Sequence, residues 1–85
     1  MIFQILYDKQ PVKFIKKLSK DISTRLIDKI NELSNNCVPH NAKTVVGKHG
    51  VFRIRIGDYR ALYRVNYENK TIIIFKVDKR PRVYD

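Results

Sequence analysis

The run VFRIRIGDYRALYRV, Val51 to Val65, alternates apolar and polar residues on both sides of Gly57-Asp58. A period of two is the strand period, and Gly-Asp between two such segments reads as a two-residue hairpin turn, with glycine supplying positive φ. This feature restricts the fold most, because a tight turn sets the register of the strands it joins. Ile56 then pairs with Tyr59, Arg55 with Arg60 and Ile54 with Ala61. Phe52, Ile54, Ile56, Ala61, Tyr63 and Val65 are expected on one face, and Arg53, Arg55, Arg60 and Arg64 on the other.

A third strand is expected over Thr71–Asp78, whose TIIIFKV is apolar enough for the middle of a sheet. A three-residue turn, Glu68-Asn69-Lys70, would carry Ile73, Phe75 and Val77 to the core face. Lys76 and Arg80 would then join the arginines, with Leu62, Ile72 and Ile74 lying between the charges.

Like charges directly opposite on a sheet destabilise it. Asp78 falls opposite Arg60 on this register and relieves part of the repulsion, but one carboxylate does not neutralise five arginines. Two readings compete: a solvated face that keeps the chain soluble, and an anion site where a phosphate chain supplies the missing charge. Solubility does not require arginines opposed across a turn, so the anion site is the stronger reading. The overall charge agrees with it. Eighteen Lys and Arg against eight Asp and Glu leave +10 on 85 residues, a field suited to RNA, DNA, a ribosome or an acidic protein. Eight of eleven lysines precede Val51, whereas six of seven arginines lie from Arg53 onward, where bidentate phosphate contact would use them.

Before the hairpin, Ile2–Tyr7 reads as a short strand. Asp8 is placed as the cap of a helix with Pro11 in its first turn and Phe14, Ile15 and Leu18 on one face. After Ser19-Lys20, Asp21 is expected to cap a second helix in which Ile22, Leu26, Ile30 and Leu33 recur at helical spacing and Ile27 widens the stripe. Asn35-Asn36 and Pro39 end it. Cys37–Gly50 is expected as a loop with one extended piece at Thr44–Val46. The order β-α-α-β-β-β gives a single α+β domain over residues 1–85, a helical hairpin packed on a largely antiparallel sheet.

The chemistry on offer is narrow. No apolar run approaches the ~20 residues of a membrane span, and MIFQILYD lacks a secretory start, so a cytoplasmic protein without a membrane partner is expected. The single Cys37 is read as a small packed hydrophobe. Neither Cys nor His has metal-ligand spacing, so no metal and no cofactor is expected. His40 and His49 read first as surface residues; His49, just before the Arg53 strand, is the candidate for proton transfer. In the tail VDKRPRVYD, Arg80 continues the cationic face, Pro81 ends the strand and Tyr84 follows. Either this tail is loose, or it folds back so that Arg80 and Tyr84 join Arg60. Cleavage of RNA by its own 2′-OH needs that proton removed, the phosphorane charge stabilised and the leaving 5′-oxygen protonated; arginines suit the second task.

FRIRIGDYRALYRV followed by VDKRPRVYD, after two amphipathic helices, resembles the RelE toxins of the RelE/ParE toxin–antitoxin superfamily. The resemblance covers nearly the whole chain. It implies a fold similar to the microbial ribonucleases and an mRNA-cleaving toxin acting in the ribosomal A site. It also implies silencing by a RelB-like antitoxin, and contact with operator DNA only as the toxin–antitoxin complex. By matching position, Arg53 and Arg55 occupy the basic pair that grips the message, and Arg60 matches the arginine on the reacting phosphate. Arg80 matches the catalytic arginine, and Tyr84 the tyrosine that stacks on a base or moves a proton. Arg64, Lys76, Lys79 and Arg82 complete the expected RNA contacts, with Lys79 standing where relatives often carry histidine. A ParE-like gyrase poison and a non-catalytic RNA- or ribosome-binding module are the alternatives on the same scaffold.

Overall fold

A computed structural model describes residues 2–80. Its elements are β1 (Gln4–Tyr7), α1 (Lys9–Lys16), α2 (Lys20–Asn31) with a 3-10 turn at Glu32–Ser34, β2 (Lys43–Thr44), β3 (Val51–Ile56), β4 (Tyr59–Asn66) and β5 (Thr71–Lys79). They form one five-stranded sheet in the order β1-β5-β4-β3-β2. Only β1 and β5 run parallel; the other neighbours are antiparallel. The helical hairpin bridges from β1 and covers one face. The expected α+β architecture is therefore the one observed, with β2 as an added edge strand. Among the described residues no helix is long and apolar enough to cross a membrane.

Local chemistry explains the helices. Pro11 falls in the first turn of α1, where its missing N–H costs nothing. Asp8 stands at the N-cap position but its side chain makes no capping bond. Ser19, rather than Asp21, caps α2, accepting from the N–H of Ile22 at 3.4 Å; Asp21 sits in the first turn, where a negative charge suits the helix dipole. Ile15, Leu26, Ile30 and Leu33 are buried, and Phe14, Leu18 and Ile22 pack against them. Ile27 does not widen the buried stripe, being 37% exposed. Between Cys37 and Gly50, pairing falls at Lys43–Thr44 and not at Thr44–Val46; Val46 is exposed.

The β3–β4 register is the expected one throughout, from Val51 opposite Arg64 to Ile56 opposite Tyr59. Gly57 takes φ +60°, as a type II′ hairpin requires at its first central residue. The β4–β5 register is expected in one half only. Arg60 faces Asp78, Ala61 faces Val77 and Leu62 faces Lys76, but Tyr63 then faces Ile74 and Asn66 faces Thr71. The turn has four residues, not three. Asn66 ends β4 early because its side-chain oxygen accepts the N–H groups of Glu68 and Asn69 (3.0 and 3.2 Å), and Lys70 closes the turn at φ +55°.

A β-bulge at Phe75 absorbs the offset. Ile74 and Val77 point into the core while Phe75 and Lys76 both lie on the opposite face. This corrects the expectation for β5: Ile72 and Ile74 are fully buried, and Ile73 and Phe75 are the residues left outside. Tyr63 is the largest fully buried side chain. Phe52 stacks on it at 5.7 Å, and its hydroxyl donates to the Cys37 carbonyl at 2.7 Å. Burial foremost, then nearby Cys37 and Tyr67, raises the Tyr63 hydroxyl pKa, so it stays a donor. Cys37 packs against the core, as expected for a small hydrophobe.

Gln10 completes the sheet. β1 pairs with β5 only as far as Ile74, and beyond it the side-chain amide of Gln10 takes the strand's place. Its Nε2 donates to the Val77 carbonyl at 2.8 Å, and its Oε1 accepts the Val77 N–H at 2.9 Å. Alanine at position 10 would leave both groups of a buried residue without these partners. Gln10→Ala should lower unfolding free energy by ~1–3 kcal/mol in a denaturant titration; unchanged stability would deny the amide this role.

Candidate nucleic-acid interface

Helices cover one face of the sheet, and the other carries the arginines. Arg53, Arg55, Arg60, Arg64, Lys76 and Arg80 come together there by strand parity, as expected. Arg55, Arg60 and Asp78 form one row across β3, β4 and β5. Nε of Arg60 donates to Asp78 Oδ1 at 2.8 Å, and a second guanidinium nitrogen donates to Oδ2 at 3.4 Å. This two-pronged contact, led by its hydrogen bonds, raises the Arg60 pKa above its ordinary value. It also fixes the guanidinium plane. Among the described residues no other arginine of this face forms an ion pair. The repulsion built into the Arg55–Arg60 pair is thus relieved on one side only, and the row keeps net positive charge.

Arg80 closes the turn end of the face. Its N–H donates to the Asp58 carbonyl at 2.7 Å and its guanidinium to the Gly57 carbonyl at 3.0 Å, so it is clasped to the hairpin tip. Arg60 lies opposite Asp78, two residues before Arg80, which makes Arg60 and Arg80 diagonal neighbours. Such positions are ~7–8 Å apart, a spacing that two arginine side chains span to hold one phosphate. A guanidinium has five donors, and only one of those on Arg80 is engaged by Gly57.

Two expected site residues lie elsewhere. Lys79 pairs with Tyr59, whose ring packs against the core, so Lys79 has the parity of the helical face. His49 is exposed in the turn before β3, at the opposite end of that strand from the Gly57 turn. Arg82 and Tyr84 lie outside the described residues, as does Pro81.

His40 is the residue that sequence reasoning passed over. With Asn41, Lys43, Arg53 and Arg55 it lines one groove on the β2 side of the arginine face. The pairing of Lys43 with Arg53 brings it there. The only signal for it in the sequence was the short extended piece expected nearby. Among the described residues no three His, Cys, Asp or Glu side chains converge, so none is assigned as a metal ligand.

Comparison with known proteins agrees with this geometry at the level of class. The family described as "ParE toxin of type II toxin-antitoxin system, parDE" matches residues 5–84, so the protein is a toxin of a type II toxin–antitoxin module. Toxin RelE3 of Methanocaldococcus jannaschii is 34% identical, covering 96% of each chain. A RelE–RelB complex from Pyrococcus horikoshii OT3 superposes with a TM-score of 0.82 at 31% identity, over 98% of this chain and 100% of the other. The isolated Escherichia coli RelE toxin gives the same TM-score at 20% identity, covering 95% and 87%, and shares the fold. The chain belongs to the RelE branch of the RelE/ParE toxin superfamily.

Proposed function

We propose that this toxin is a ribosome-dependent endoribonuclease that cleaves message in the A site, with the substrate's own 2′-OH as nucleophile. The observation that carries the reading is the diagonal Arg60–Arg80 pair at one end of a cationic sheet face, with Arg60 held flat by Asp78. Arg53 and Arg55 bind the backbone of the message. The 2′-oxygen attacks phosphorus as its proton leaves, the bond to the 5′-oxygen breaks, and that oxygen takes up a proton. The products are a 2′,3′-cyclic phosphate and a 5′-hydroxyl. Arg60 positions the phosphate and Arg80 meets the charge that grows on it. Tyr84 stacks on a base or moves a proton. The guanidinium groups carry the electrostatic work, and no metal is needed.

A RelB-like antitoxin silences the toxin in the cytoplasm by covering this face, and operator DNA is bound only by the pair. The structural relative from P. horikoshii is itself a RelE–RelB complex, which supports such a partner. Gyrase inhibition is the second reading, favoured by the ParE description of the matching family. Purified protein added to programmed ribosomes, with message ends mapped, separates these. Cleavage should persist in chelator and leave a cyclic phosphate. Intact message with blocked supercoiling by gyrase would favour the second reading, and intact message with ribosome binding alone a non-catalytic module.

A further inference from the structure

The bulge places an aromatic ring on the cationic face. Phe75 is the extra residue of β5, and its ring lies beneath Arg64, whose guanidinium carbon is 5.3 Å from the ring centroid. Arg64 is exposed, and among the described residues it forms no ion pair. Its surroundings on this face are apolar: Ile73 is its partner on β5, Leu62 precedes it by two residues on β4, and Leu6 of β1 pairs beside Ile73 with 44% of its surface exposed.

A guanidinium is planar, weakly hydrated and able to stack on both faces. Here the Arg64 guanidinium lies over the Phe75 ring and the side chain is exposed, which leaves it accessible to a ligand with a flat π system. Arg64 stands four residues along β4 from Arg60, ~13 Å at strand spacing. That places it beyond the phosphate shared by Arg60 and Arg80, on the same cationic track.

We infer that Arg64, supported by Phe75, is a stacking subsite for the base of a single-stranded RNA nucleotide flanking the one whose phosphate Arg60 holds. The inference rests on the RNA-cleaving reading for the identity of its ligand. Unpaired bases stack on aromatic rings and on arginine planes with little sequence preference. An acidic peptide would instead meet the guanidinium at its N–H edge and leave the exposed plane unused.

Binding of short single-stranded oligoribonucleotides to the purified protein tests this directly, by fluorescence anisotropy. A matched series carries one abasic site moved along the strand. For wild type, one abasic position away from the cleavage site should weaken binding about tenfold, within the range for one stacked base. Arg64→Lys keeps the charge and loses the plane. It should weaken the intact oligonucleotide about tenfold and leave the abasic one, and the salt dependence, unchanged. Phe75→Leu, which removes the support, should move affinity the same way. Equal weakening of intact and abasic strands by Arg64→Lys, or no weakening, overturns the subsite, as does an effect confined to binding of an acidic apolar peptide. The two readings fail separately: ribosomal cleavage without an Arg64-dependent base effect removes the subsite alone, and a base effect without cleavage removes the nuclease alone.

Discussion

Arg80→Ala is expected to slow message cleavage on programmed ribosomes by about 100-fold or more, the loss typical of removing one donor aimed at transition-state charge. Ribosome affinity should stay within a few-fold, because Arg53, Arg55, Arg60 and Arg64 still present the face to phosphate. The clasp on the hairpin tip sharpens the test. Alanine also removes the bond to the Gly57 carbonyl at 3.0 Å, which is solvent-exposed. A bond of that kind contributes ~0.5–1.5 kcal/mol. A modest fall in melting temperature together with a collapse of rate therefore marks Arg80 as catalytic. Cleavage at the wild-type rate would remove Arg80 from the mechanism and leave it as a turn clasp.

The second large effect concerns the core. Ile74→Ala should cost ~2–5 kcal/mol, the range for truncating a fully buried aliphatic side chain, whereas Ile73→Ala should cost under ~1 kcal/mol. Ile74 has no exposed surface and packs with Tyr63, Ile72 and Val77, while its neighbour Ile73 faces outward beside Arg64. For a domain of this size the larger figure is a substantial part of the whole stability. Denaturant midpoints of the two variants decide it. The reverse order would mean that β5 pairs with β4 in the register a three-residue turn imposes, without the bulge.

That contrast also marks the limit of what the sequence made legible. The β3–β4 hairpin could be read outright, because arginines recur at every second position in most of VFRIRIGDYRALYRV and Gly57 starts a two-residue turn that sets the register. From it followed the arginine face and the Arg55–Arg60 opposition. The Asp78 partner was expected from a three-residue turn, and Arg60 meets it only because the bulge offsets the fourth turn residue. The helical face of Ile15, Leu26, Ile30 and Leu33 was equally open to reading, since one stripe at a 3.6-residue period leaves little choice of side. TIIIFKV was different. It is apolar at Ile72, Ile73, Ile74 and Phe75 alike, so its pattern is compatible with either parity. The choice fell to the Asn66 side chain, which lengthened the turn by one residue, and to the bulge that restored the register before Asp78.

Other features had no local signature at all. Gln10 completing the edge of β5, His40 lining a groove with Arg53 and Arg55, and Arg80 clasping Gly57 each join residues distant in the chain. The sequence alone determined the element types, the hairpin register and the charge of the open face, because period, turn chemistry and composition act locally. Only the tertiary structure decided which half of β5 is buried, and so placed Phe75 under Arg64, because a uniformly apolar strand takes its facing from what packs against it.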